Sequence, residues 1–257
     1  MSWKEDNDFF FKVKLDGDDK VENIFWIDGT ARAAYKTCNA CISFKNPYLT
    51  NIYKMPFAPF IAINRHAQSI QVGCAFLRNE IANSYCWLFQ AFLEAMNGLE
   101  PLNLITNQDL AIAAAIRAVF VSTRHWCCRW HIISKIESRL GVYFSSIKGL
   151  EEEYNEIVNH SLSLEEFESR WQGMIEKYRA TENEILCNLF QIRHLWVPAY
   201  FMDRFYPFLQ LTKRSESFNA VLKKYVNPHN SILDFVHQYK KIEDKTDVTR
   251  CEQKQHR

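Results

Sequence analysis

No charge of one sign dominates this chain: 31 Lys and Arg residues stand against 30 Asp and Glu residues, a formal net charge of +1 at pH 7. A near-neutral molecule has no whole-body field that draws it onto nucleic acid or an anionic membrane, so any DNA contact must come from a local patch or a partner. Long apolar runs are missing too. None reaches the roughly 18 residues that cross a bilayer. The N-terminus Met1-Ser2-Trp3-Lys4-Glu5-Asp6-Asn7-Asp8 has acids where a secretory leader needs basic and then apolar residues. The expectation is a soluble, intracellular protein with no membrane partner. Internal repeats and low-complexity tracts are absent. The eight cysteines, at 38, 41, 74, 86, 127, 128, 187 and 251, lie mostly inside apolar runs, as reduced core thiols do, and do not form the framework of a secreted disulfide scaffold.

What the chain does contain is core material. With 257 residues, 47% hydrophobic and 14% aromatic, it can bury a substantial interior as one domain, or as one domain carrying a large insertion. From Asn23 to Leu77 the runs Ile24–Ile27, Ala40–Phe44, Pro59–Ile63 and Ile70–Leu77 read as strands separated by Asp-Gly, Asn-Pro and Asn-Arg-His-Ala turn signals. Ser84–Met96 carries a helical apolar stripe of Trp87, Leu88, Ala91, Phe92 and Ala95 that ends at Asn97-Gly98. A strand at Leu102–Thr106, a helix at Leu110–Phe120, a strand at Arg124–Cys128 and a helix from Trp130 follow, and this alternation predicts a partly parallel sheet with helical cover. Past Lys135 the β signal stops. Glu151–His160, Leu164–Tyr178 and Ile185–Trp196 are amphipathic and helical, with Ser163 as an N-cap ahead of Glu165 and Glu166. Two more helices, Glu216–Tyr225 and Ser231–Lys241, are divided by Asn227-Pro228-His229-Asn230.

Several short motifs follow one another along the chain: Phe25-Trp26-Ile27-Asp28, Ser43-Phe44-Lys45-Asn46-Pro47, Leu49-Thr50-Asn51-Ile52-Tyr53-Lys54-Met55-Pro56-Phe57, Ile105-Thr106-Asn107-Gln108-Asp109, Arg124-His125-Trp126-Cys127-Cys128-Arg129-Trp130-His131, Glu166-Phe167-Glu168-Ser169-Arg170-Trp171, Trp196-Val197-Pro198-Ala199-Tyr200 and Arg214-Ser215-Glu216-Ser217-Phe218-Asn219. From Asn23 to Lys241 this pattern resembles the transposase-derived core of the FAR-RED IMPAIRED RESPONSE and FAR-RED ELONGATED HYPOCOTYL family of plant proteins, which descends from Mutator-like element transposases. The resemblance implies an α/β fold, an RNase H-like mixed sheet core with a large all-helical insertion between the second and third acidic positions. The expected organisation is a polar N-terminal segment (1–20), the first part of the core (21–134), the insertion (135–212), C-terminal helices completing the core (213–245) and a polar tail (246–257). The resemblance also implies a nuclear protein acting in regulation of transcription, with an upstream zinc-dependent DNA-binding domain and a downstream SWIM zinc motif in full-length relatives. Neither fits in this sequence, so the chain reads as a fragment, a truncated product or a decayed copy.

Chemistry in such a core needs three carboxylates converging on two divalent metals, one activating the attacking oxygen and one stabilising the leaving oxygen. Magnesium suits it, being a hard ion that takes carboxylate oxygens and keeps waters for the substrate. The family's first acid corresponds here to Lys45 and its second to Asn107; only Glu216 is retained. Together these three side chains carry no net charge. At about 4 Å a unit-charge pair interacts by ~4 kcal/mol at an effective dielectric near 20, so an ammonium in the site opposes metal binding strongly. The sequence therefore predicts no cofactor and no transposase activity, with Lys45 ion-paired to Glu216 in place of metal. The competing reading is a degenerate but metal-competent transposase core acting on DNA; a third is a dimerisation module without DNA contact.

Neighbouring residues each have a bland reading beside the chemical one. Asp109 reads as a helix cap in preference to a rescuing ligand, and Asp28 before Gly29 as a turn. Cys128 and His131, with His125 upstream, have zinc-ligand spacing, yet no distant pair completes a finger, which favours packing. Cys38 and Cys41, if they enter a strand, point to opposite faces and cannot share an ion. The cations Lys213, Arg214, Lys223 and Lys224 flank Glu216 and suit phosphate contacts, or a solvated helix face. Related transposase-derived chains, as homo- or hetero-dimers, are the other partners this reading allows.

Overall fold

The computed structural model describes residues 6–44, 48–49, 51–63, 69–202, 231–232 and 234. Eight strands form one mixed sheet. They are β1 (Phe10–Leu15), β2 (Val21–Ile27), β3 (Ile42–Phe44), β4 (Tyr48–Leu49), β5 (Pro56–Ile63), β6 (Ser69–Leu77), β7 (Asn103–Thr106) and β8 (Arg124–Cys127). The order across the sheet is β1-β2-β6-β5-β3-β7-β8, with β4 paired to β5. Pairing is antiparallel from β1 to β3 and parallel from β3 through β7 to β8. The parallel part needs crossovers, which helices supply.

Central strand β5 is buried along its whole length, so it reads as a continuous apolar run and not as an alternating one. It tolerates Pro59 because the ladder slips there: Pro59 faces Cys74 while Ile61 faces Gln71, leaving Val72 and Gly73 opposite Phe60. Bulges are where a strand can hold proline. Gly73 takes φ +115°, and a Cβ there would meet the Phe25 ring at 3.0 Å, so backbone conformation and close packing both require glycine.

Three helices cover one face: α1 (Gly29–Cys38), α2 (Ala82–Ala95) and α3 (Leu110–Val119). The core between them and the sheet is aromatic. Phe60 stacks on Phe92 with centroids 4.4 Å apart, and Phe25, Phe44, Tyr85, Phe89 and Phe120 ring that pair. A second core belongs to α4 (Arg129–Ser146), α5 (Leu150–His160), α6 (Leu164–Lys177) and α7 (Glu184–Gln191), with Tyr154, Phe167, Trp171, Met174 and Trp196 at its centre. The predicted α/β class and the loss of β structure after Lys135 match this arrangement. Among the described residues no helix is long and apolar enough to cross a membrane.

Two elements depart from the sequence expectation. Residues 10–15, inside the stretch grouped as a polar N-terminal segment, form β1. Asp28, read as a turn residue, caps α1 by accepting from the Ala31 N–H at 2.8 Å, while the Asp6 carboxylate accepts from the Gly29 N–H at 2.8 Å. Two carboxylates on the orphan donors of one helix end favour a helix that opens on glycine.

Candidate functional site

The second motif sits at the C-terminal end of β7. Ser43 of β3 lies opposite Ile105, so the end of β3 at Phe44 and the end of β7 at Thr106 emerge side by side. That is where two of the resemblance's three motif positions belong. Lys45, Asn46 and Pro47 follow Phe44 in the chain and, like Glu216, Lys213, Arg214, Lys223 and Lys224, lie outside the described residues. The expected Lys45–Glu216 pair lies outside them too.

Asn107 leaves β7 with its Oδ1 buried and, among the described residues, without a hydrogen-bond partner. Beside it, the Thr106 hydroxyl lies 2.7 Å from the Asn107 carbonyl and 2.8 Å from His125 Nε2. A hydroxyl has one hydrogen. Given to the carbonyl, it leaves Nε2 as the donor to Thr106, which assigns the neutral Nε2–H tautomer to His125. Burial, reinforced by the Arg117 guanidinium, pushes the His125 pKa down to about 4, so the ring is neutral at pH 7. The structure thereby joins two motifs that the sequence keeps apart, because β7 and β8 are parallel neighbours with Leu104 opposite His125.

The nearest acid to Asn107 in the chain is engaged elsewhere. Asp109 Oδ1 accepts from the Ala111 and Ile112 N–H groups at 2.8 and 3.0 Å, which makes it the α3 N-cap. Between them, Gln108 Oε1 accepts from Lys135 Nζ at 3.1 Å, so an ammonium from α4 stands beside the second motif. Nothing in the sequence pointed to Lys135, since its contact depends on how α4 leaves β8. Tyr85 escaped the sequence reading for a similar reason. Its ring packs edge-on to Phe44 at 6.0 Å, and its hydroxyl is buried. Burial raises the Tyr85 pKa, with Glu80 and Asp109 adding to the effect.

The Cys/His positions are dispersed. Cys128 is buried among Cys41, Ile63, Ile105, Trp126 and Phe201, His125 is turned to Thr106, and His131 has its ring 5.1 Å from that of Trp130. Among the described residues no three His, Cys, Asp or Glu side chains gather as they would around a metal ion. Cys38 ends α1 and so does not enter a strand, which corrects the premise used above for the Cys38/Cys41 pair. It packs toward the sheet–helix core, whereas Cys41 lies in the Cys128 cluster, where burial pushes its thiol up to about 12. Trp126 Nε1 donates to Asn103 Oδ1 at 3.1 Å, and Asn103 Nδ2 donates to the Ala40 carbonyl at 2.7 Å. Trp196 Nε1 donates to the Leu189 carbonyl. These two motif tryptophans are packing residues.

Residues 41–135, from the entry of β3 to the second turn of α4, match the model of the MULE transposase domain. Three Arabidopsis thaliana proteins extend the similarity over most of the chain. Protein FAR1-RELATED SEQUENCE 5 is 36% identical over 233 residues, 91% of this chain and 30% of that protein. Protein FAR1-RELATED SEQUENCE 2 is 36% identical over 234 residues, 91% of this chain and 29% of its own length. Protein FAR-RED IMPAIRED RESPONSE 1 is 32% identical over 240 residues, 92% of this chain and 28% of its own length. The chain belongs to this FAR-RED IMPAIRED RESPONSE family and spans about a third of the length of these relatives. A chain in the structure of the simian T-cell lymphotropic virus intasome in complex with PP2A regulatory subunit B56 gamma is 12% identical, covers 48% of this chain and 50% of its own, and superposes with a TM-score of 0.25, too low to define a common fold.

Proposed function

We propose that this chain is the RNase H-like, transposase-derived core of a nuclear plant protein of the far-red-response type, one that has given up metal-dependent strand transfer and acts in transcriptional regulation. The observation that carries the reading is the neutral Asn107 at the end of β7, beside the end of β3, where the family's chemistry places a carboxylate. Its surroundings support the same conclusion: Asp109 is engaged as a cap, and Lys135 holds an ammonium against Gln108. Two divalent cations need more negative charge than this. The RNase H-like reading is supported by a sheet that turns from antiparallel to parallel at β3, the strand that runs toward the first motif position. Within this reading Lys45 replaces metal by pairing with Glu216, and Lys213, Arg214, Lys223 and Lys224 offer phosphate contacts of the non-specific, salt-sensitive kind.

The test is calorimetric and chemical. Titration with magnesium or manganese gives no binding isotherm, and the purified chain neither cleaves nor joins labelled DNA. A clear isotherm that Glu216→Ala abolishes overturns the loss of chemistry and favours the metal-competent reading. Lys45→Ala lowers the melting temperature, and the double variant Lys45→Asp with Asn107→Asp gains magnesium-dependent stabilisation. A fluorescent fusion in plant cells tests nuclear localisation separately.

A further inference from the structure

Strand β1 is built the opposite way from an ordinary sheet edge. Its apolar residues Phe11, Val13 and Leu15 are 66%, 41% and 50% exposed, and Val21, opposite Leu15 on β2, is 45% exposed. Its lysines point to the other face, where Lys12 is ion-paired with Glu94 of α2 and Lys14 with Glu22 at 3.1 Å. An edge strand is normally protected by charge, above all by lysine, because its unpaired N–H and C=O groups are a template for another strand. Here that protection is cancelled. Each lysine is neutralised by a carboxylate of its own chain, and no described strand pairs with the outer edge of β1.

We propose that β1 is an interface between two copies of this chain, their free edges pairing antiparallel about a twofold axis through Val13, perpendicular to the sheet. Such an axis keeps the exposed residues of both copies on one face. Phe11 then lies opposite Leu15 of the second copy and Val13 opposite its counterpart, so all three apolar side chains gain an apolar cross-strand partner. Moving the axis to Lys12 or Lys14 loses part of this match: the Lys14 axis leaves Phe11 opposite Gly17, and the Lys12 axis sets Leu15 beyond the strand against Phe9. On the other face Lys12 and Lys14 come opposite each other, an arrangement that repels when the cations are bare. Glu94 and Glu22 remove that obstacle. A net charge of +1 adds no long-range repulsion between copies. A C2 contact of this type is self-complementary and closed, so it stops at the dimer. It holds whether or not the strand-end site keeps any chemistry.

Sedimentation equilibrium of the whole chain tests it. The parent shows a concentration-dependent monomer–dimer equilibrium. Val13→Lys puts two ammonium groups opposite each other on the axis and weakens the dimer by at least about tenfold, with an unchanged far-UV circular dichroism spectrum because Val13 faces solvent in the monomer. In a Cys187→Ser, Cys251→Ser background, since Cys187 is an exposed free thiol, Val13→Cys adds a register-specific readout: mild oxidation gives an intermolecular disulfide that neither the background protein nor Val142→Cys forms, Val142 being 87% exposed on α4. A monomeric parent overturns the proposal. So does a Val13→Lys protein that dimerises like the parent, or cross-linking of Val142→Cys as fast as Val13→Cys.

Discussion

The sheet half and the helical half of this chain are stabilised by contacts of different range. In the sheet half, polar ties join distant segments: Tyr35 donates to the Leu99 carbonyl at 3.1 Å, Arg32 Nε to the Ala95 carbonyl at 2.9 Å, and Arg78 pairs with Asp16 at 2.8 Å. In the helical half many ties are local. Ser163 accepts from the Glu166 N–H while the Glu166 carboxylate accepts from the Leu162 N–H, a reciprocal cap, and Asn183 accepts from Ile185 and Leu186. Its longer ties include a triad in which Arg193 and Tyr200 both donate to Glu168, at 2.8 and 2.6 Å, and Tyr178 donating to Glu153 at 2.9 Å. One half is tied across the chain; the other is in large part capped by its own neighbours.

Three experiments separate the halves. The largest effect comes from Phe60→Ala, which removes the ring stacked on Phe92 from the fully buried β5 and should cost about 3–5 kcal/mol. By hydrogen exchange the amides of Leu104 and Ile105 lose protection while those of Tyr154 and Trp171 keep theirs. Equal loss in both halves would make them one cooperative unit and remove the distinction. Next comes His125. Its pKa is about 4 in the folded protein against 6.5 in the unfolded chain, so the unfolded state binds the extra proton between those values. Stability is full above about pH 6.5 and falls as pH drops toward 4, by up to about 3 kcal/mol. Urea titrations at pH 7 and 4.5 show this loss, and His125→Gln, which keeps a donor for Thr106 but cannot titrate, removes the His125 share of it. The smallest effect is Ser163→Ala at the head of α6, about 1 kcal/mol, restored by Ser163→Thr and read from the thermal melt.

Much of the scaffold was legible because it rests on periodicity. The stripe through α2, the buried run of β5, the Ser163 cap and the Asp109 cap are patterns within a few residues, and each lies where the sequence placed it. What escaped was decided by neighbours far away in the chain. In β1 the lysines alternate with Phe11, Val13 and Leu15, so the segment looked polar until β2 gave it a partner and Glu94 and Glu22 took its charges. Helix α1 opens on Asp28-Gly29, a turn signal whose meaning changes when Asp6 supplies a second cap. At the candidate site Asn107 was visible from its motif, whereas Lys135, Tyr85 and the Thr106–His125 contact were not, since all three depend on elements meeting across the sheet.

The sequence by itself determined the α/β class, the change to helices after Lys135, the family, and a neutral residue, Asn107, at the second motif position, since each is written in residue type and order along the chain. Tertiary structure alone decided which strand became the sheet edge and which face of β1 is bare. It also decided that His125 is neutral and holds Thr106, and that Asp109 caps α3. Burial, pairing register and proton affinity are properties of surroundings, and for this protein those surroundings are assembled from segments that the chain keeps far apart.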